Sequence, residues 1–165
     1  YIAALAARIR RTMQTASGSH DKIVLTFHGL PERYVSSGGP YRSHCETTTA
    51  LLAERMGWQP DDYILCYQSR FGPETWLGPA TAEVLEHLAS QGVRRPLVVA
   101  RGSTTDCLET LDELGNEGRG QFAEGGCDPD SYTLCPCLND LPEWIDCMTS
   151  LIKRVECGTN DASKL

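Results

Sequence analysis

The sequence of 165 residues lacks any apolar run close to the roughly 20 residues that a membrane-spanning helix needs. It also lacks an excess of positive charge, because 22 acidic side chains outnumber 15 lysines and arginines and leave a net charge of −7. A chain with that charge is a poor ligand for nucleic acid or for an anionic lipid surface. Its ordinary composition predicts one globular domain, which we place at residues 1–157, with a disordered polar tail at residues 158–165.

An N-terminal targeting signal is also missing. The chain begins at Tyr1 and enters directly a helical pattern of apolar residues, formed by Ile2, Leu5, Ile9 and Met13. A parallel sheet whose first element is a helix usually lacks the strand before it, so we expect further sequence upstream. The absence of a signal therefore carries little information about targeting.

Cysteine is abundant, with eight in the chain. Disulfides in a secreted domain would account for such a number, but the segments between the cysteines predict a mid-sized α/β core that needs no cross-links. Reduced thiols with a metal or cluster site fit better. We therefore expect a cytoplasmic protein.

Short apolar runs alternate with helical patterns along the chain. The apolar runs predict strands at residues 23–27, 63–67, 96–100 and 132–134. The helical patterns lie at residues 1–14, 43–56, 79–90, 105–114 and 142–155. Strands that alternate with helices predict an α/β protein with a doubly wound, Rossmann-like parallel sheet of about four strands.

Polar segments follow the carboxyl end of each predicted strand. They are His28 and residues 68–70, 101–109 and 135–140. Open α/β sheets bind ligands beyond the carboxyl ends of their strands, so these segments are expected to build one cleft. The imidazole of His28 would face this cleft and can accept a proton or bind a metal near neutral pH. A strand-end histidine that only caps its own loop is the alternative.

Four motifs resemble those of the ferrochelatase family, in the order found there. They read FHGLP at residues 27–31, YQSRFG at 67–72 with WLGP at 76–79, DCLETL at 106–111 and CLND at 137–140. The resemblance covers nearly the whole chain. It implies the chelatase-like fold, with this chain as the C-terminal one of two similar halves of a bacterial-type enzyme. The implied activity is insertion of Fe²⁺ into a porphyrin, protoporphyrin IX or coproporphyrin III, in haem biosynthesis.

The resemblance also implies roles for individual side chains. His28 and Glu109 would face each other across the edge of the macrocycle, as proton acceptor and transient metal ligands, which suits imidazole and carboxylate. Ser69 and Arg70 would bind propionates, and Trp76 would offer apolar area to the flat ring. Taken alone, Glu109 would be an exposed first-turn glutamate, and Arg70 a solvated loop charge.

Other residues near these motifs keep two interpretations. Phe71 is either a further contact for the ring or an ordinary core aromatic. Residues 100–105 are more polar than usual in the family, and Ser103 stands where an aromatic side chain commonly lines the pocket. Cys107 either touches the metal or, as we favour, packs as a small hydrophobic residue.

Three cysteines, Cys127, Cys135 and Cys137, lie close together in a segment rich in Gly, Asp and Pro. Some ferrochelatases carry a [2Fe–2S] cluster, and four thiolates are its usual ligands, so these three are candidate ligands. The fourth would be Cys45 or a residue upstream of Tyr1. Zinc is a weaker candidate because structural zinc sites use paired C-x₂₋₄-C spacing, and unconnected thiols are the alternative without a metal.

The remaining cysteines and histidines receive no functional role. Cys66 is expected in the core, and Cys147 and Cys157 are unconnected to the three clustered cysteines. None of the other three histidines matches a motif. We expect His20 and His44 at the surface and assign no role to His87.

Three hypotheses on function result. The leading one is a ferrochelatase whose partners are a porphyrin, ferrous iron and the missing N-terminal half, with the isolated chain inactive because the ring lies between two halves. The polar segment 100–105 motivates the second, a non-catalytic iron–sulfur or porphyrin-binding module derived from a chelatase. The third is a chelatase for another tetrapyrrole, such as a cobalt chelatase. Nucleic acid is excluded as a partner, and peripheral association with a membrane stays open.

Overall fold

The computed structural model describes residues 1–156, which form one parallel sheet with helices on both faces. The strands are β1 (Lys22–His28), β2 (Tyr63–Gln68), β3 (Pro96–Ala100) and β4 (Thr133–Cys135). The α-helices are α1 (Ile2–Thr15), α2 (Glu32–Ser36), α3 (Tyr41–Met56), α4 (Thr81–Ser90), α5 (Gly118–Glu124) and α6 (Pro142–Glu156). A π-helix covers Glu109–Glu117, and single 3₁₀ turns lie at Pro60–Asp62 and Pro129–Ser131.

The strand order in the sheet is β2-β1-β3-β4, and all pairs are parallel. The chain moves outward from β1 to β2 and then crosses back to β3 on the other side of β1. The strand order therefore changes direction between β1 and β3, and ligands of such sheets bind in the crevice beyond the carboxyl ends at this position. The predicted doubly wound α/β fold with four parallel strands is confirmed.

Alternating side chains of the strands build a core on each face. On one face Val24 and Val98 pack in a cluster with Leu85 of α4. On the other face Leu25 packs in a cluster with Leu5 of α1. Since both faces of the central strands are buried, their sequences read as continuous apolar runs, which is why β3 could be predicted with its observed bounds.

The helices depart from prediction between β1 and α3 and after β3. The short helix α2 and the helix α5 were not predicted, and the helix predicted from residue 105 begins at Glu109. Glycine is a weak helix former and is frequent in this part of the chain, at residues 115, 118, 120, 125 and 126. Packing of Phe122, which is fully buried, fixes α5 where helix propensity alone does not.

The π-helix has a local physical cause. The hydroxyl of Tyr132 donates a 2.7 Å hydrogen bond to the carbonyl of Leu114, which in an α-helix would accept from the amide of Gly118. That amide donates instead to the carbonyl of Glu113, five residues back. A Cβ on Gly118 would lie 2.9 Å from the Tyr132 hydroxyl, so the contact depends on glycine. Helical turns of this type occur mostly at functional sites.

Within residues 1–156, no helix has both the length and the apolar character that crossing a bilayer requires. Cys157 and the predicted tail at residues 158–165 lie outside the described residues, and so the end of the predicted domain is not tested.

Candidate active site

His28 is the last residue of β1 and is exposed. Its backbone is fixed on two sides. The hydroxyl of Tyr41 donates to the His28 carbonyl at 2.7 Å, and the amide of the next residue, Gly29, donates to the carbonyl of Gln68 at 2.7 Å. The loop after β3 also lies against it, since a Cβ on Gly102 would be only 2.8 Å from the His28 nitrogen. The backbone of His28 is therefore held on both sides, while its side chain is exposed at the end of β1.

Glu109 is the first residue of the π-helix and is exposed. The pKa of its carboxyl group lies below the usual value, first because its own backbone amide donates to it, then because the Cys107 thiol does, and also because of the charge of His28. His28 and Glu109 thus lie within electrostatic range of each other, although they belong to different elements. The carboxylate is ionised throughout the neutral pH range.

A buried glutamine connects the two elements that carry this pair. Gln68 is 5% exposed, its amide nitrogen donates to the carbonyl of Glu109 at 3.3 Å, and its amide oxygen accepts from the hydroxyl of Thr26 at 3.2 Å. The beginning of the π-helix is therefore attached to β1 and β2 beside His28. Sequence reasoning gave Gln68 no role, although its place at a strand end within a motif was a signal.

Ser69 and Arg70 already contact carboxylates of this chain. The amide and hydroxyl of Ser69 donate to the two carboxylate oxygens of Glu113 at 2.6 and 2.5 Å, from a backbone with φ of 62° that L-residues rarely adopt. The guanidinium of Arg70 forms a 2.9 Å ion pair with Glu83. Both side chains thus bind carboxylates, as recognition of a propionate requires. That they bind a propionate of the porphyrin stays a prediction. Sequence reasoning missed Glu113.

The two aromatic residues of the second motif have different environments. Trp76 is half-buried and supports the turn after His28, because its ring lies 3.2 Å from where a Cβ on Gly29 would be. Its indole nitrogen is buried without a hydrogen-bond partner. Phe71 is 87% exposed, so the interpretation as a core aromatic is wrong. A large exposed apolar ring near the crevice is available to a ligand.

The loop before Glu109 is fixed by a side-chain network. Asp106 accepts from the amide nitrogen of Asn139 at 2.6 Å and from the backbone amide of Cys137 at 2.9 Å. Burial alone would raise the pKa of the Asp106 carboxyl group, but these hydrogen bonds have the larger combined effect. The pKa therefore lies below its usual value, and the carboxylate stays ionised. Cys107 is half-buried and bonds Glu109, so our favoured interpretation of it as a packed hydrophobic residue was incomplete.

The three clustered cysteines do not converge. Cys135 belongs to the core on the α1 face, with its sulfur 3.3 Å from the hydroxyl of Thr12, whereas Cys127 and Cys137 belong to the core on the α4 face. The sulfur of Cys127 accepts from Arg94 at 3.0 Å.

Cys45, the proposed fourth ligand, packs in a separate cluster with Tyr67. Within residues 1–156 no group of three or more His, Cys, Asp and Glu side chains is placed to hold a metal ion. The residues as arranged therefore do not fit a [2Fe–2S] cluster.

The remaining residues mostly follow expectation. Cys66 is fully buried in the core, and His44 and His87 are exposed. The surface prediction for His20 is wrong, because the residue is half-buried and both ring nitrogens are buried without a hydrogen-bond partner. Burial lowers its pKa, and no role results.

Comparison with known proteins agrees with this arrangement. The family model described as Ferrochelatase matches residues 1–156. The ferrochelatases of Brucella ovis, Brucella canis and Brucella suis are each 42% identical to this chain over 158 residues, which cover 96% of the chain and 44% of each relative. The chain thus spans less than half the length of these curated relatives. With its fold, its motifs and this match over nearly all of its length, the chain belongs to the ferrochelatase family.

Proposed function

We propose that this chain is the C-terminal half of a ferrochelatase and presents His28 and Glu109 to Fe²⁺ during its insertion into a porphyrin, as a lyase of haem biosynthesis. The observation that supports the proposal is that His28 and Glu109 are both exposed near the carboxyl ends of the strands, and that His28 lowers the pKa of the Glu109 carboxyl group. Protoporphyrin IX and coproporphyrin III are the proposed porphyrins.

The proposed chemistry follows from what metal insertion requires. Two pyrrole N–H protons leave the ring, and Fe²⁺ enters after losing its water ligands. The imidazole of His28 is a suitable acceptor for these protons near neutral pH. Imidazole and carboxylate are also suitable transient ligands for ferrous iron.

Glu109 contributes through its charge. Its lowered pKa keeps the carboxylate ionised at neutral pH, so Glu109 offers the metal a negative charge beside the imidazole of His28. Gln68 and Cys107 act as positioning residues, since one bonds the Glu109 backbone and the other its side chain.

Exposed apolar side chains support the binding of a flat ring. Phe71 is 87% exposed, and Leu108 and Leu111, on either side of Glu109 in the sequence, are 73% and 58% exposed. Large exposed apolar side chains near a cleft are typical of ligand-binding surfaces. Because exposed ion pairs contribute little free energy, the pair of Arg70 and Glu83 can exchange for a propionate at small cost.

The other half of the enzyme is a proposed partner of this chain. The relatives are more than twice as long as the matched segment, and the family resemblance implies a second Rossmann-like half as the opposite wall of the porphyrin site. We expect the isolated chain to insert metal poorly, because it supplies one wall. The cytoplasm is the proposed compartment, since the seven described cysteines are free thiols.

A [2Fe–2S] cluster is left out of the proposal because Cys127, Cys135 and Cys137 do not converge. The non-catalytic module stays the alternative, because the segment 100–105 is polar, although Arg101 within it is buried against α1.

The test is an anaerobic assay of Fe²⁺ insertion into protoporphyrin IX by the full-length protein. We expect His28→Ala to reduce insertion to a small residual rate, whereas the matched control His44→Ala, at an exposed position on α3, keeps the wild-type rate. Circular dichroism checks the fold of both variants. Normal turnover by a well-folded His28→Ala variant contradicts the proposal. Porphyrin binding by the wild-type protein without metallation supports the non-catalytic module, and preference for Co²⁺ supports a cobalt chelatase.

A further inference from the structure

The guanidinium group of Arg101 is a buried positive charge that makes no hydrogen bond within residues 1–156. The residue directly follows β3 and is 4% exposed, and none of its three guanidinium nitrogens has a hydrogen-bond partner among the described residues. The Nε of Arg8 on α1 is likewise buried without a partner. An isolated buried charge is strongly unfavourable unless it is paired, so such an arrangement calls for an anion.

The groups around Arg101 do not neutralise it. A small cavity lies between α1 and the residues after β3 and β4, and its described lining includes Arg8 and Ser103 but no Asp or Glu. The ring of Tyr1, 5.7 Å from the guanidinium carbon, offers a cation–π contact but no hydrogen-bond acceptor for it. Two cysteines also line the cavity, and burial keeps their thiols neutral.

The pKa of Cys137 is raised to about 12 by burial and then by Asp106, and burial also raises the pKa of Cys135. Neither thiol is therefore a thiolate at neutral pH. Asp106 lies within electrostatic range of Arg8, but its oxygens accept from Asn139 and from the Cys137 amide. The cavity thus keeps an excess of positive charge and of N–H donors.

We propose that Arg101, Arg8 and Ser103 form a binding site for one small monovalent anion of the size of chloride. The cavity leaves about 10 Å³ for the centre of a water-sized sphere, and so small a space suits a halide better than a phosphate. The donors available to it are the Arg101 guanidinium, the Arg8 Nε–H and the Ser103 hydroxyl, since Nη2 of Arg8 already donates to the Leu138 carbonyl at 2.9 Å. A water molecule fits the space but brings no charge.

This anion site is separate from the candidate active site but adjoins it through the backbone. The amide of Arg101 donates to the carbonyl of Thr26 at 2.6 Å, and the next residue, Gly102, lies against His28. A bound anion would therefore stabilise the loop that packs beneath His28. The inference does not depend on the proposed function.

The test measures thermal unfolding of the purified protein at constant ionic strength while gluconate, which is too large for the cavity, is replaced by chloride or bromide. A ligand that binds only the folded state raises the melting temperature, by about 3–6 °C at a concentration ten times its Kd. We expect a saturable rise for the wild type and none for Arg101→Met. The control Arg10→Met removes an exposed guanidinium that bonds the Arg55 carbonyl, and it keeps the rise.

The proposal is overturned if chloride and bromide do not raise the melting temperature of the wild type. It is also overturned if they raise it equally in the wild type and in Arg101→Met. If Arg101→Met does not fold, a crystal of the wild-type protein soaked in bromide decides. An anomalous peak within about 3.5 Å of the Arg101 guanidinium supports the site. A bromide-soaked crystal without that peak overturns it.

Discussion

Two regions of this chain carry residues typical of metal sites, and they differ in where the fold places these residues. His28 and Glu109 are far apart in the sequence, yet they meet at the carboxyl edge of the sheet, exposed and within electrostatic range. Cys127 and Cys135 are eight positions apart, yet they pack in the cores on opposite faces of the sheet. Closeness in sequence and closeness in space are thus inverted between the two regions.

The difference has a physical origin in the sheet. The carboxyl ends of parallel strands lie along one edge whatever their separation in the sequence, so strand-end residues converge. Cys127 lies before β4 and packs with α4, whereas Cys135, the last residue of β4, packs with α1 on the other face. Candidate sites at strand ends therefore deserve more weight than candidate sites within a strand and its flanks.

The largest expected effect concerns Glu109. Glu109→Gln in the full-length protein removes the ionised carboxylate and is expected to lower the rate of Fe²⁺ insertion by about 10²- to 10⁴-fold. The control Glu117→Gln, at an exposed position on the same π-helix, is expected to keep the rate. Steady-state metallation kinetics measures both, and equal rates for the two variants would remove Glu109 from the active pair.

The second effect concerns the contact between the loop after β3 and His28. Gly102→Ala places a Cβ 2.8 Å from the His28 nitrogen, so the loop or the histidine must shift. Because small displacements of a catalytic group are costly, we expect the insertion rate to fall by about 10- to 100-fold while the fold is kept. Gly120→Ala adds a Cβ in open space on α5 and serves as the control. A Gly102→Ala variant with the wild-type rate would show that this contact does not position His28.

The third effect concerns the buried thiols. Replacing Cys127, Cys135 and Cys137 together by Ala is expected to leave the insertion rate within about twofold of the wild type in a folded protein. The unfolding free energy should fall by roughly 1 kcal/mol at each site through lost packing. Urea unfolding and the metallation assay measure both quantities. Loss of bound iron, acid-labile sulfide and activity in this variant would instead support a cluster.

The smallest effect is a pH dependence of stability at Cys66. Burial raises the pKa of this thiol from 9.0 to about 11 in the folded protein, whereas in the unfolded chain it ionises near 9. Stability is therefore fully present below pH 9 and falls as the pH rises toward 11, by roughly 1 kcal/mol at pH 10.

Unfolding titrations at pH 8 and pH 10 measure this difference. Cys66→Val is expected to reduce the loss, and Cys147→Ala, at a half-buried position, to leave it nearly unchanged. A pH dependence that is identical in wild type and Cys66→Val would contradict the assignment.

Most of the fold could be predicted because its strands are buried on both faces. All five residues of β3 are buried, so an unbroken apolar run between polar residues marks its bounds. The π-helix could not be predicted, since it depends on a hydrogen bond from Tyr132 to Leu114 that joins two segments distant in sequence. Glycines that weaken helix propensity hid α5, which is fixed by the burial of Phe122.

The candidate site could likewise be predicted only in part. His28 and Glu109 could be named from the strand-end position and the family resemblance, which both depend on local sequence. The residues that hold them could not, because Gln68 and Tyr41 act through contacts between different elements. Arg101 was noted only as a polar departure from the family, and its burial is a property of tertiary packing.

We propose that His28 and Glu109 act as one unit on the metal, and a double-mutant cycle distinguishes this from independent roles. Fe²⁺ insertion is measured for full-length wild type, His28→Ala, Glu109→Ala and the double variant. Residues that act as a unit are strongly non-additive, so the double variant should lose about as much rate as the worse single variant. Losses that simply add on a logarithmic scale would show independent roles and contradict the account.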